Sequence, residues 1–263
     1  EKAQLQNAWN AQWSHNRYRI YYPKTMGDAV WSMYDYNRGC CDNICYSGVA
    51  DIFRLPKFSL SFFRTQIAEG SMLPSGKMPY EVFIPAYRDE ILSDTVMVYG
   101  NVDEVELVLN GKTIRRQTAD KGPDSDYIPV PNGGNGKNLH FPPFTFYGVP
   151  KERGVLKAVG YHQGKKVAEY TVKTPGVPER LDITYFESGK PATKNDLLIV
   201  YVRMLDKQGV LCPVNGIPVE LSVQGGEIVG PTSYPLEAGV ASFLVRTGEI
   251  SKININATGK GFS

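Results

Sequence analysis

Histidine is scarce in this chain: His15, His140 and His162 are the only three. None has a Ser or Cys partner in a recognised motif, which removes the nucleophilic hydrolases built on Ser–His or Cys–His pairs. Three of the four cysteines crowd together as Cys40, Cys41 and Cys45. With histidine so rare, a four-ligand metal site lacks its ligands, and no metal is expected. A loop disulfide such as Cys41–Cys45 fits an exported protein and reduced buried thiols fit otherwise. Cys212, just before Pro213 in a strand-rich stretch, reads as a packed thiol.

An excess of charge of one sign is missing too. Lys and Arg number 29 against 27 Asp and Glu, a formal net charge of +2. That balance, with no basic block, predicts neither a nucleic-acid partner nor a membrane one. There is no apolar run of transmembrane length and no signal peptide. Cofactor fingerprints are equally lacking. Gly133-Gly-Asn-Gly-Lys137 has no Ser or Thr after the Lys and no helix following, so it reads as a hairpin connection and not a phosphate loop. Asp120, Asp124 and Asp126 around Gly122-Pro123 fit no standard calcium loop and read as a solvated turn. No cofactor is expected, and nothing here excludes a homo-oligomer. The chain opens at Glu1-Lys2 inside a helical pattern without initiator Met or capping residue, so it is expected to be part of a longer protein.

What is present is ample. At 263 residues with 42% hydrophobic content the chain has room for two or three domains. Residues 1–20 predict a helix from the spacing of Leu5, Ala8, Trp9 and Trp13. Asp28-Ala-Val-Trp-Ser-Met-Tyr34 is short, apolar and unalternating, the pattern of a strand buried on both faces. It runs into Asp35-Tyr36-Asn37-Arg38-Gly39, a polar cluster at a strand end, where α/β barrels place their active sites. Pro56 then stands where a first helical position should be, before Phe58, Leu60, Phe62, Phe63 and Ile67. Residues 1–70 thus read as helix, buried strand, loop and helix, the closing unit of an α/β barrel.

Two groups of residues carry a family resemblance. They are Val30-Trp-Ser-Met-Tyr-Asp-Tyr-Asn37 and Tyr46-Ser-Gly-Val-Ala-Asp-Ile-Phe-Arg-Leu-Pro-Lys57. Together they resemble the end of the catalytic barrel of glycoside hydrolase family 2, which includes many β-galactosidases, β-glucuronidases and β-mannosidases. The resemblance implies that Trp31 ends the eighth barrel strand and offers its indole face as the platform under the sugar. Ordinary barrel core is the alternative for this residue. The resemblance also implies a cis peptide between Trp31 and Ser32. Asp35 is expected either to reach sugar hydroxyls or to orient a neighbour. A structural carboxylate paired with Arg38 or Arg54 is an equal alternative. Tyr36 and Asn37 are expected to line the outer subsite. Asp51 and Arg54 are assigned to structure, and Trp9 and Trp13 to helix packing.

Past the linker-like Gly70–Gly76 the helical period disappears. Residues 77–175 predict strands at Glu81–Ile84, Asp94–Tyr99, Glu104–Leu109, Thr113–Gln117, Phe144–Tyr147, Val155–Tyr161 and Lys166–Val172. Asn110-Gly111 and Gln163-Gly164 mark hairpins. After Thr174–Pro178, residues 179–263 predict strands at Leu181–Phe186, Leu197–Leu205, Val219–Val223, Ala241–Val245 and Lys252–Ala257. Asp206–Gly209 and Gly225–Gly230 are read as turns. The fold class is therefore mainly β: an incomplete (β/α)8 barrel remnant followed by two immunoglobulin-like β-sandwiches.

Retaining hydrolysis of a β-glycoside needs two carboxyl groups about 5 Å apart. The family's two catalytic glutamates belong to segments that precede Glu1, and no Asn-Glu dipeptide occurs here. Glu1, Glu69 and Glu81 sit in helix or linker contexts. No catalytic residue is expected in this chain, which alone should be inactive. The resemblance implies a carbohydrate substrate, β-galactosidase as the leading activity, and a bacterial periplasmic or cell-surface setting. The rival from another class is a non-catalytic carbohydrate-binding or adhesive sandwich. That reading requires an exposed aromatic stripe from Tyr80, Phe83, Tyr87, Phe144, Phe146 and Tyr147.

Overall fold

The computed structural model describes residues 1–39, 43–89, 92–120, 136–186, 191–249, 252–259 and 261–262. Two compact units result, 1–174 and 175–263, and the architecture is mainly β. The expected boundary near residues 70–77 therefore lies inside the first unit. Among the described residues no helix is long and apolar enough to cross a membrane.

In the first unit, α1 (Lys2–Arg19) leads through irregular chain to β1 (Tyr36–Asn37) and β2 (Ile44–Cys45), then α2 (Phe58–Thr65). A small hairpin follows, β3 (Met72–Leu73) and β4 (Gly76–Lys77), in the stretch that reads as a linker. The sandwich comprises β5 (Val82–Phe83), β6 (Thr95–Gly100), β7 (Glu104–Leu109), β8 (Lys112–Thr118), β9 (Phe144–Tyr147), β10 (Val155–His162) and β11 (Lys165–Lys173). One sheet runs β5-β6-β9 and the other β11-β10-β7-β8. Alternation builds the core between them: Val105, Leu107 and Leu109 of β7 point inward with Phe144, Phe146 and Leu156. Asn110 and Gly111 both have positive φ, as a tight two-residue hairpin requires.

Strand β6 is buried on both faces. Val96 and Val98 enter the sandwich core, while Met97 and Tyr99 face the helices and pack with Ala8, Phe58 and Phe62. Phe62 and Tyr99 meet edge to face with ring centroids 5.2 Å apart. Burying each such side chain contributes about 1.5–3 kcal/mol. The helices are also tied on by polar groups. Gln4 donates to the Tyr87 hydroxyl (3.0 Å), and Asn16 accepts from the Asn138 amide (2.8 Å). Buried Asn101 accepts from the Glu81 amide (2.6 Å) and donates to the carbonyls of Ile67 and Pro79 (3.1 and 2.9 Å).

The expected two-faced strand at Asp28–Tyr34 does not form. Val30, Met33 and Tyr34 are exposed, and the segment is extended but irregular. A parallel strand needs ladder partners on both edges. Among the described residues, Val49 and Ala50 are its ladder partners, through amides donating to Ser32 O (3.1 Å) and Met33 O (3.0 Å). Helix α2 starts at Phe58 and not at Pro56. Lys57 is held extended by donating its amide to Val49 O at 2.9 Å, and Pro56 sits in a bridge with Ala50.

The second unit repeats the four-plus-three arrangement. Its strands are β12 (Pro178–Tyr185), β13 (Leu197–Asp206), β14 (Pro218–Gln224), β15 (Gly226–Ile228), β16 (Ser233–Pro235), β17 (Val240–Thr247) and β18 (Asn254–Gly259). The sheets run β12-β13-β17-β15 and β16-β14-β18. Val200, Val202, Met204, Leu221, Phe243 and Val245 fill the core, and the Cys212 thiol is buried among them. Asp206 forms the expected turn, its carboxylate accepting from the amides of Gln208 and Val210 (2.9 and 2.8 Å). Gly225–Gly230, read as a turn, contains β15. A Cβ on Gly226 would meet the Arg246 carbonyl at 2.5 Å, so glycine permits this close strand pairing.

Phe62→Ala empties the contact between α2 and β6. It should lower the stability of the first unit by about 3–5 kcal/mol in urea denaturation. A loss below about 1 kcal/mol would show that the helices are not held by this contact.

Candidate functional site

Where the Trp31 segment ends, four side chains diverge in role. Asp35 turns inward and is 6% exposed. Its Oδ1 accepts from the Gly48 amide at 2.8 Å and from the Lys57 ammonium at 2.7 Å. Lys57 also donates to the Tyr46 carbonyl at 3.0 Å. Of the two alternatives for Asp35, the geometry is that of the structural carboxylate, but its partner is Lys57 and neither Arg38 nor Arg54. Arg54 lies over the Tyr34 ring, 5.0 Å from its centroid. Asp51 closes the loop before α2 by accepting from the Leu55 amide (2.8 Å), and burial raises its carboxyl above the usual range.

Gly48 is where the two halves of the motif cross. A Cβ there would stand 2.3 Å from the Asp35 amide nitrogen and 2.4 Å from the Tyr34 carbonyl carbon. Only glycine lets the backbone following β2 lie this close to the Trp31 segment.

Trp31 does the opposite of Asp35. It is 76% exposed, and the peptide joining it to Ser32 is cis. Its indole N–H donates to the Tyr36 hydroxyl at 2.8 Å, and the two rings meet edge to face at 6.2 Å and 84°. Asn37 follows on β1, exposed, with its side-chain oxygen accepting from the Gly39 amide at 2.9 Å. The start of the segment is fixed from α1, where His15 Nδ1 lies 2.9 Å from the Asp28 carboxylate. The structure thus brings Trp31 and Tyr36 together, sets Asn37 beside Tyr36 in sequence on the same strand, and buries Asp35 against Gly48 and Lys57.

Other residues join this group without having been singled out for it. Cys45 is a free, buried thiol on β2, directly opposite Tyr36. Its sulfur accepts from Arg38 Nη2 at 2.9 Å and lies 3.3 Å from the Ser47 hydroxyl. Its polar surroundings, Ser47 first, then Tyr36 and Arg38, bring the thiol down to about 7, and the contact with Cys45 raises the Arg38 guanidinium. Cys40 and Cys41 lie outside the described residues, as do Asp124, Asp126 and residues 133–135. Asp120 is already occupied, accepting from the Thr145 hydroxyl at 2.6 Å and from its amide at 3.1 Å.

Among the described residues, the six candidate aromatics form no exposed stripe on the first sandwich. Phe144 and Phe146 are core, Tyr80 stacks on His162 at 5.0 Å, and Phe83 and Tyr87 pack against Phe58. Of the six candidates only Tyr147 is exposed. A separate cavity of about 250 Å³ lies between α1 and β6, lined by Leu5, Trp9, Ile84, Arg88 and Met97 among others.

With fold and site in place, comparison with known proteins is informative. Residues 93–168 match a family described as a domain of unknown function (DUF4982). A β-galactosidase of Thermoanaerobacter pseudethanolicus is 32% identical over 241 residues, 86% of this chain and 30% of that protein. A β-galactosidase of Rhizobium radiobacter is 30% identical over 125 residues, 47% of this chain and 89% of that protein. In fold, a β-glycosidase from Bacteroides vulgatus superimposes with a TM-score of 0.73 at 16% identity, covering 95% of this chain and 31% of that one. The chain belongs to glycoside hydrolase family 2. It spans 30%, 30% and 22% of the length of the first three curated relatives it matches.

Two outcomes follow from the buried groups. Lys57→Met leaves the Asp35 carboxylate without its cation and should cost about 3 kcal/mol in denaturant unfolding, whereas Asp35→Asn with Lys57→Met should cost less than the two single changes summed. Because the Cys45 thiol is lowered to about 7, its thiolate fraction grows as pH rises through neutrality. Its alkylation by iodoacetamide, followed by peptide mass, should climb between about pH 6 and 8, below the range of an ordinary thiol. A midpoint near about 8.5 would refute the polar contacts assigned to it.

Proposed function

We propose that this chain is the C-terminal part of a retaining β-glycosidase acting on terminal β-linked sugars, with a β-galactoside the leading substrate. The observation that carries the proposal is the exposed indole of Trp31, held by its N–H on the Tyr36 hydroxyl at 2.8 Å. An indole so held presents a flat apolar face to the C–H face of a pyranose, and its donor is already satisfied. Tyr36 and Asn37 extend this wall towards the outer subsite, and Asp35 supports it from below. The two carboxyl groups that retention requires, about 5 Å apart, are supplied by segments preceding Glu1 in the whole enzyme. The sandwiches at 77–175 and 179–263 act as accessory domains.

The alternative of a stand-alone carbohydrate binder loses its support, because five of its six candidate aromatics are packed against other side chains or in the core. The test is kinetic. The whole enzyme should hydrolyse an aryl β-galactoside faster than the matching β-glucuronide, and Trp31→Ala should lower kcat/KM by about a hundredfold, some 3 kcal/mol of transition-state binding. The 263-residue chain alone should show no turnover. Wild-type kinetics in the Trp31→Ala enzyme would remove the platform role.

A further inference from the structure

The stretch that leads to the indole is sparsely held. The Thr25 amide donates to Tyr21 O at 3.1 Å, and the next backbone bond downstream is the one that Ser32 O accepts from Val49. Among the described residues, Met26 to Trp31 make no backbone hydrogen bond between these two points. Met26, Val30 and Trp31 are exposed, so packing does little to fix the path. Two side-chain contacts remain: the Trp31 N–H on the Tyr36 hydroxyl, and Asp28 against His15. His15 Nδ1 lies 2.9 Å from both Asp28 carboxylate oxygens. A carboxylate can only accept, so Nδ1 carries the hydrogen and shares it between the two. The imidazole is itself fixed, edge-on to Phe62 and Phe63 of α2 with centroids 6.1 and 5.7 Å away.

An exposed ion pair would be a weak anchor, because water and salt loosen it. This one is shielded: the two side chains are only 15% and 16% exposed. One hydrogen bond at the edge of the indole leaves the backbone behind it free to pivot. A second fixed point three residues away, at most about 10 Å along an extended chain, limits where the Trp31 backbone can lie. We propose that His15 is a positioning residue, which ties Asp28 to the packed α1–α2 helices and so fixes the backbone that carries the Trp31 indole for sugar binding. This rests on the platform reading of Trp31. A loop that is ordered only when sugar arrives takes its lost freedom out of the binding energy. The role of His15 therefore belongs to KM, and it is exerted through Trp31.

The test uses the whole enzyme with an aryl β-galactoside. His15→Leu keeps an apolar side chain against Phe62 and Phe63 and removes the donor; His15→Asn keeps an N–H donor near the position of Nδ1. His15→Leu should lower kcat/KM by about tenfold, chiefly by raising KM, and His15→Asn should stay within about threefold of wild type. Asp28→Ala should reproduce the loss of His15→Leu. In the Trp31→Ala background His15→Leu should add no further loss, because the indole through which it acts is gone. Equal losses in His15→Leu and His15→Asn, or additive losses with Trp31→Ala, would overturn the proposal. So would an unchanged KM in His15→Leu where Trp31→Ala is impaired, and that result would leave the platform reading standing. If Trp31→Ala is itself unimpaired, the platform reading fails and the role of His15 falls with it. Should His15→Leu fail to fold, the Asp28→Ala enzyme still decides: wild-type KM in it overturns the proposal.

Discussion

A buried carboxylate governs the arrangement of the whole N-terminal segment. Asp35 gives up solvent, which is costly for a charged group, and recovers the loss through the Lys57 ammonium at 2.7 Å and the Gly48 amide at 2.8 Å. Those two partners lie 13 and 22 residues downstream, so satisfying one charge closes two loops at once. The crossing requires that residue 48 have no side chain, since a Cβ would overlap the Tyr34–Asp35 backbone. Lys57 in turn cannot enter the helix while its amide and ammonium point back, which is why α2 begins one residue later. The inward pull on Asp35 also settles its neighbours, because alternate residues of an extended chain point to opposite sides. Tyr36 turns to Cys45 and to the Trp31 indole.

The second organising feature is β6, whose two faces serve two different cores. Val96 and Val98 close the sandwich; Met97 and Tyr99 receive the helices. The N-terminal helices and the first sandwich consequently share one strand's side chains and form one compact unit. Tyr99 pays for this position by complete burial, which drives its phenol well above the usual tyrosine range. The polar contacts of Gln4, Asn16 and Asn101 lie around this apolar seam and fix its register without adding to its area.

What was legible in the sequence follows from this distribution. The sandwich strands could be read because alternation and the Asn110-Gly111 turn are local, so each strand announces itself within six to nine residues. Strands β15 and β16 could not. Gly226 looks like a turn residue, and only the Arg246 carbonyl pressing on it shows why a strand needs glycine there. The apolar run at Asp28–Tyr34 was misleading for a related reason. Apolar sequence signals a wish for burial, but the covering partner must exist, and in this chain Val30, Trp31 and Met33 face outward. True two-faced burial belongs to the similar-looking run Val96–Tyr99. At the site, the pairing of Trp31 with Tyr36 could be anticipated only as neighbours on one segment. Lys57 stood in plain view beside Pro56, but nothing local says that a lysine will find an aspartate 22 residues back.

The contrast between the exposed Trp31 and the packed aromatics of the sandwich decides what kind of surface this is. A ring that merely fills a core needs no hydrogen-bonding order around it, as Phe144 and Phe146 illustrate. A ring left in water loses the stabilisation of burial and gains none from packing, so its fixed plane must be maintained by directional contacts. Trp31 has such a contact, edge-on to Tyr36 with its sole donor engaged. Satisfying the donor also removes competition at the ring edge, so that what remains presented is the apolar face. Stacking on such a face is shape-selective and weakly polar, which leaves discrimination between sugars to hydroxyl partners around it. Asn37 stands exposed on the same strand, its side-chain oxygen accepting from the Gly39 amide. On the platform reading of Trp31, this ring positions the sugar, and its identity is left to the polar groups around it.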